Sequence, residues 1–376
     1  MSSLRTLFVL FAVLSAAVSA QQKPVALPTP PPDKDDDVVR VETELVDVPV
    51  VVTDKSGKAV LDLKKENFRV FEDGAPQQIE EFSATSAPFE VALLLDTSGS
   101  TRSEIELIRR SAQSFIAGLR PGDRVAIVSF KTVRDADRAA PAVEIVSPLT
   151  NDRTALAAAL DRVGTSNGTP YYDSLVEIAT NVFRGEPAPE YRGRRALVAL
   201  TDGVDSTSAT DFAEGRELLA RAGVVAFFIQ VNTRPFFEEN LLGNCIGAMR
   251  FSAAQIRRYY RGFGAAGDKL ERTEDFCKLG DFEKLAISKR LYEIANDEIS
   301  SFARASGGKV FPAADLSDAR LAFRSIAETI GTQYRLGYYS SNNKRDGGWR
   351  KIRIELKGLP PGTQVRAREG YTAPAR

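Results

Sequence analysis

Two aspartates and a few hydroxyls carry the chemistry this sequence offers. Asp96 ends the run Leu93-Leu94-Leu95 and opens the stretch D-T-S-G-S, so Asp96, Ser98 and Ser100 alternate along five residues, with Gly99 accommodating a tight backbone between them. Thr169, in SNGTPYYDSL, sits where a loop becomes a helical pattern, and Asp202, in VALTDG, ends an apolar run like the one before Asp96. Two carboxylates and three hydroxyls, with no imidazole or thiolate beside them, suit a hard cation. A small, near-octahedral shell of hydroxyls and waters favours Mg2+ over Ca2+, and Mn2+ fits as well.

The same residue types exclude much else. The chain contains no histidine, so there is no Ser-His-Asp triad, no imidazole base and no His-ligated zinc. An aspartyl phosphotransferase needs a second carboxylate two residues after the first, where Ser98 stands, and an aspartic protease needs D-T-G twice, which is absent. No phosphate-binding G-x-x-x-x-G-K-[ST] loop occurs, and Ser306-Gly307-Gly308 follows a helical pattern rather than a strand. A metal-dependent hydrolase stays open in principle, but no general base stands beside the candidate ligands, and the expectation is a protein that is not an enzyme. Each hydroxyl also has a plainer reading. Thr101-x-x-Glu104 and Ser103-x-x-Glu106 are capping-box patterns, and Thr169-Pro170 reads as a helix cap followed by proline.

The elements that must position these residues are legible as periodicity. From Phe89, near-continuous apolar runs (VALLLD, DRVAIVSF, RRALVALTD, VVAFFIQV) alternate with amphipathic helical stretches such as SEIELIRRSAQSFIAGL. That rhythm predicts a doubly wound, mostly parallel sheet covered on both faces. In such sheets ligands bind beyond the carboxyl ends of the strands where strand order reverses, so Asp96 and Asp202 converge if their strands are neighbours. In the first helix Ile105, Leu107, Ile108, Phe115, Ile116 and Leu119 form the core-facing stripe. Residues 38–86 and 336–376 read as short β runs separated by turns, each too small for a core of its own, so they are expected to pair, as a small β-sandwich.

With the order of elements in view, the D-x-S-x-S stretch, Thr169 and Asp202 together resemble the metal-ion-dependent adhesion site of von Willebrand factor type A domains. The resemblance covers residues 89–335 and implies a Rossmann-like α/β fold whose metal ligands are Asp96, Ser98, Ser100, Thr169 and Asp202. It implies a divalent cation left one ligand short, completed by an Asp or Glu of a partner protein. The outline is also similar to exported bacterial proteins of this type. The expected function is metal-dependent protein binding or adhesion, and the alternatives are a metal-dependent hydrolase and a structural envelope component. The family does not foretell residues 233–289, rich in aromatics and charges and holding both cysteines, which read as a helical insertion. In that insertion Tyr259, Tyr260 and Phe263 interleave with Arg257, Arg258 and Arg261, a mix that elsewhere stacks on single strands.

The rest of the chain sets the context. Lys plus Arg and Asp plus Glu both number 50, so no net field draws the protein to nucleic acid or an anionic membrane. Residues 1–20 carry Arg5, an apolar run from Leu7 to Leu14 and the small residues Val18-Ser19-Ala20, the pattern of a cleaved secretory signal. Residues 21–37, rich in proline and then aspartate, read as an extended linker. The expected location is therefore periplasmic, secreted or cell-surface, with no later stretch apolar enough to span a bilayer. In an exported chain Cys245 and Cys277 are expected to form a disulfide.

Overall fold

A computed structural model of the chain describes residues 45–83, 87–98, 104–135, 138–242, 250–261 and 276–375. The first strands are β1 (Leu45–Thr53), β2 (Phe68–Glu72), β3 (Ala75–Gln77) and β4 (Ile79–Ser83). A six-stranded sheet follows, built from β5 (Glu90–Leu95), β6 (Arg124–Asp135), β7 (Arg138–Thr150), β8 (Arg195–Thr201), β9 (Val224–Val231) and β10 (Lys309–Ala313) in the order β10-β9-β8-β5-β6-β7. All neighbours run parallel except β6 and β7, which form an antiparallel hairpin.

The apolar runs are explained by double-sided burial. Every residue of β5 is buried. Val91, Leu93 and Leu95 point into a core shared with α1 (Ile105–Gly118) and α2 (Arg153–Arg162), while Ala92 and Leu94 point into a second core shared with α3 (Tyr171–Glu177) and α4 (Phe212–Arg221). The stripe predicted on α1 lies as expected, with Ile108, Phe115, Ile116 and Leu119 buried and Ile105 and Leu107 packed at the margin.

After β9 come α5 (Arg234–Leu241), α6 (Ala253–Arg261), a short turn at Phe276–Lys278 and α7 (Asp281–Ser306). These helices share a small core of Leu241, Phe251, Ile256, Phe276, Leu279, Ile287 and Leu291. The sequence boundary at 289 differs from the structure, because α7 runs unbroken for 26 residues. No Gly or Pro interrupts it, and it ends where Gly307 adopts φ +82°. Its first half therefore serves the inserted helices and its second half, through Ile299 and Phe302, the main sheet. The proposed Cys245–Cys277 pairing involves Cys245, which lies outside the described residues, as do the signal and linker segments.

The chain closes with α8 (Ala319–Gly331), β11 (Tyr334–Tyr339), β12 (Trp349–Leu356), β13 (Gln364–Ala367) and β14 (Gly370–Thr372). Strands from both ends interleave in two four-stranded sheets, β13-β1-β11-β4 and β14-β12-β2-β3. Val48, Val50, Phe68, Val70, Tyr334, Leu336, Tyr338, Ile352 and Ile354 fill the space they share. Neither terminal segment supplies that core alone, which is why the pairing crosses nearly the whole chain. Arg194, one residue before β8 and almost fully buried, ties the sandwich to the main sheet. Its guanidinium donates to Ser83 Oγ at 3.0 Å, to the Ala87 carbonyl at 3.3 Å and to the Gln333 carbonyl at 3.4 Å.

Candidate functional site

Strand order reverses between β5 and β8, and that is where the two aspartates meet. The parallel register pairs Leu95 with Leu200, and the Asp96 amide donates to the Leu200 carbonyl at 2.9 Å. Asp96 therefore emerges beside Thr201 and Asp202. Its Oδ2 accepts the Thr201 hydroxyl at 2.8 Å and its Oδ1 the Ser98 amide at 3.1 Å. Asp96, Thr201, Asp202 and Thr233 line one narrow crevice walled by Leu200, Val231 and Leu316.

Asp202 is gripped from the far side. Its Oδ1 accepts the Val204 amide at 2.9 Å, and its Oδ2 accepts the hydroxyl of Thr233, which in turn lies 2.8 Å from the Tyr292 hydroxyl of α7. Gly203 makes the turn possible, with φ +76° and no room for a side chain, since a Cβ there would run into Ile299.

Burial acts on both carboxylates, and the charge of Asp96 acts on Asp202. Burial raises the Asp96 carboxyl above the ordinary range, against hydrogen bonds from Ser98 and Thr201 that pull it down. Burial, and then the charge of Asp96, pushes Asp202 up to about 7. Two carboxylates that resist ionising together in a dry crevice are the electrostatic counterpart of a divalent cation. The donor set fits one. Among the described residues no cluster of three or more Asp, Glu, His or Cys could hold a metal, so hydroxyls and water must complete any shell here.

Ser98 is buried close behind Asp96. Ser100, and the capping positions Thr101 and Ser103, lie outside the described residues. Thr97, between Asp96 and Ser98, has a structural role. It is fully buried, and its hydroxyl donates to the Phe130 carbonyl at 3.1 Å, fixing the turn to β6.

Thr169 does not line that crevice, but it is joined to the loop that follows Asp202. Its amide donates to Ser206 Oγ at 2.8 Å, and the Ser206 amide donates back to the Thr169 carbonyl at 3.0 Å. The capping reading of this threonine is corrected, because the cap position of α3 is Pro170 and no side chain of its own caps that helix. The 202–210 loop does so instead, with the Tyr172 amide donating to Asp205 Oδ1 at 3.3 Å and the Asp173 amide to Ser208 Oγ at 3.0 Å. Thr169 is thereby relieved of the duty that would have explained its hydroxyl.

Several contributors escaped sequence reasoning. Thr201 sits inside the T-D-G stretch, and its hydroxyl partner could have been suspected from adjacency alone. Thr233 and Tyr292 carried no local signal, since only the packing of the insertion brings them to Asp202. The Arg and Tyr mixture of α6 turns out to be engaged within the protein. Arg258 pairs with Asp205, Tyr259 and Tyr260 pack edge to face, and the Tyr260 hydroxyl donates to Glu283. Phe263 lies outside the described residues.

At the opposite edge of the sheet a cavity of about 360 Å³ opens beside Glu90, Arg124, Arg184, Glu186 and Arg195. Glu90 takes both Arg124 at 3.0 Å and Arg195 at 3.1 Å, and their other donors reach the Leu149 and Gly185 carbonyls. Glu90 thus serves as counter-charge to both guanidiniums at that edge.

Residues 91–204 match the model of the von Willebrand factor type A domain. No curated protein is similar at a significant level. Among solved structures, proximal thread matrix protein 1 from the mussel byssus is 15% identical with a TM-score of 0.40, over 74% of this chain and 51% of that one. A second structure of that mussel protein, with a zinc-occupied MIDAS motif, is 15% identical with a TM-score of 0.39, over 69% and 49%. The conserved hypothetical protein BatB from Bacteroides thetaiotaomicron is 16% identical with a TM-score of 0.37, over 64% of this chain and 98% of that one. The chain thus spans about half the length of the mussel protein.

Proposed function

We propose that the von Willebrand factor type A domain at residues 91–204 makes this chain a metal-dependent protein-binding or adhesion module, with Asp96, Ser98, Ser100, Thr169 and Asp202 holding a divalent cation, Mg2+ in the first place. The observation that carries the reading is the convergence of Asp96 and Asp202 at adjacent strand ends, Asp96 buried and Asp202 partly so, with the Asp96 charge raising the cost of ionising Asp202. When bound, the ion supplies an electrophilic position open to an acidic side chain of a partner protein. The chain's own residues do the rest. Thr201 and Thr233 orient the carboxylates, the loops after β5 and β8 shape the approach, and the apolar crevice walls exclude water.

The module acts by binding rather than by turnover, since the groups beside the carboxylates are hydroxyls engaged in holding them. Export to the periplasm, the medium or the cell surface follows from the signal-like residues 1–20. No helix among the described residues is long and apolar enough to cross a membrane. The decisive test is capture of partners from envelope extract by the wild-type chain and by Asp96→Ala, with magnesium and with chelator. Capture that needs magnesium and Asp96 supports the reading. Capture indifferent to both refutes it and points to a structural envelope component, while ester or phosphate turnover lost in Asp202→Ala would identify a hydrolase.

A further inference from the structure

We infer that Arg258, delivered by the inserted helix α6, is a positioning residue that fastens the two loops bearing Asp202 and Thr169, so that the insertion sets the geometry of the metal edge. The inference rests on the metal-site reading above and concerns how that site is held.

Asp205 lies three residues beyond Asp202 and is almost completely buried. Its carboxylate accepts the Tyr172 amide at the start of α3 and the Ser208 hydroxyl of its own loop. It therefore joins the loop after β8 to the helix that begins just past Thr169. A buried carboxylate in that position is strongly destabilising without a counter-charge. The counter-charge comes from the insertion, with Arg258 Nη2 lying 3.2 Å from Asp205 Oδ2 and Nη1 3.5 Å from the Asp205 carbonyl. The same guanidinium lies 4.6 Å from the centre of the Tyr172 ring, whose hydroxyl donates to Glu298 of α7 at 2.7 Å.

One side chain thus touches the loop of Asp202 and the helix of Thr169 at once, and the Ser206–Thr169 pair of hydrogen bonds lies between them. The geometry uses what arginine alone supplies, a planar fork that reaches both the carboxylate and the carbonyl of Asp205 and a flat face for the ring. Thr233, at the head of the insertion, holds Asp202 itself. The insertion therefore grips the metal edge at its start and again through α6.

Hydrogen exchange of the full-length, metal-free protein tests this directly. In Arg258→Ala, peptides covering 170–175 and 203–210 are expected to exchange on the order of tenfold faster, while peptides from β5 and β1 keep the wild-type rate. Arg258→Lys should recover part of the protection. The double variant Arg258→Ala/Asp205→Asn should recover more, because the uncompensated charge is gone while the amide oxygen still accepts from Tyr172. Magnesium affinity by calorimetry is expected to fall about 10- to 100-fold in Arg258→Ala, the range seen when groups supporting metal ligands are removed. Wild-type exchange in both peptides, uniform acceleration of the whole chain, or a double variant no better than the single one would overturn the inference. Failure of wild-type protein to bind magnesium would refute the metal reading instead, and the exchange data would still decide the role of Arg258.

Discussion

Asp202→Asn should make the metal-free protein more stable at pH 8 while abolishing its response to magnesium. In the metal-free fold burial and the charge of Asp96 push the Asp202 carboxyl up to about 7, from the ordinary value of 3.8. The sign follows from which state loses its proton first. Between about pH 4 and 7 the unfolded chain has released this proton and the folded chain has kept it, so stability falls as pH rises through that window and is flat above it. At about 1.4 kcal/mol per pKa unit the loss is on the order of 4 kcal/mol, and asparagine, which cannot ionise, should restore a large part of it. The amide oxygen can keep the bond from the Val204 amide, while the amide nitrogen takes the place of Oδ2 and donates to Thr233, whose hydroxyl turns toward Tyr292. Magnesium at about 100 times its dissociation constant should add roughly 2.7 kcal/mol to the wild type at pH 8, a rise in melting temperature of about 5 °C. At pH 5.5 competition with the proton should weaken magnesium up to about 30-fold and leave a stabilisation of only about 1 kcal/mol. Thermal denaturation of wild type and variant at pH 5.5 and 8, with magnesium and with chelator, measures every term. Equal magnesium shifts at the two pH values, or a variant no more stable than wild type at pH 8 without metal, would refute the reasoning.

Other consequences are as definite. Gly203→Ala forces a side chain onto a backbone at φ +76° and against Ile299, so a loss of about 1–3 kcal/mol in denaturant unfolding is expected, together with a reduced magnesium shift. Arg194→Ala removes the donor shared by Ser83, Ala87 and Gln333, and at about 1 kcal/mol for each acceptor left without it should cost about 3 kcal/mol; unfolding within experimental error of wild type would show that the seam does not depend on it. Thiol titration of the denatured, unreduced protein should find no free thiol, and reduction should remove on the order of 3–4 kcal/mol if Cys245 and Cys277 close their loop. Two reactive thiols per chain would reject that pairing.

The line between what the sequence disclosed and what it hid follows the range of the interactions. The runs VALLLD and RRALVALTD announce strands buried on both faces because period and apolarity are local properties, and the placement of Asp96 beside Asp202 then follows from strand order. The role of Thr97 was hidden although its residue type was plain, since its hydroxyl spends itself on Phe130, 33 residues away. Thr233 and Tyr292 are separated by 59 residues and converge only through the packing of the insertion. The unbroken course of α7 across residue 289 was misplaced because its two halves serve different cores, which changes the apolar stripe without breaking the helix. The end strands could be expected to pair, but register such as Val48 with Leu336 depends on both sheets closing together.

The hydroxyls around the carboxylates explain why such a site would bind rather than merely store a cation. Asp96 Oδ2 already accepts from Thr201, and Asp202 Oδ2 already accepts from Thr233, itself beside Tyr292. Each of those bonds draws charge toward a protein donor. An ion held mainly by Ser98, Ser100 and Thr169 would keep more of its charge than one ringed by carboxylates. It would be held less tightly, and it would attract a further anionic ligand more strongly. Replacing Thr233 with valine removes one of those donors without changing the shape of the side chain. Because the same hydroxyl orients Asp202, the variant should bind magnesium about 10- to 100-fold more weakly by calorimetry while its metal-free melting stays cooperative, and an unchanged affinity would show that Thr233 does not position the carboxylate.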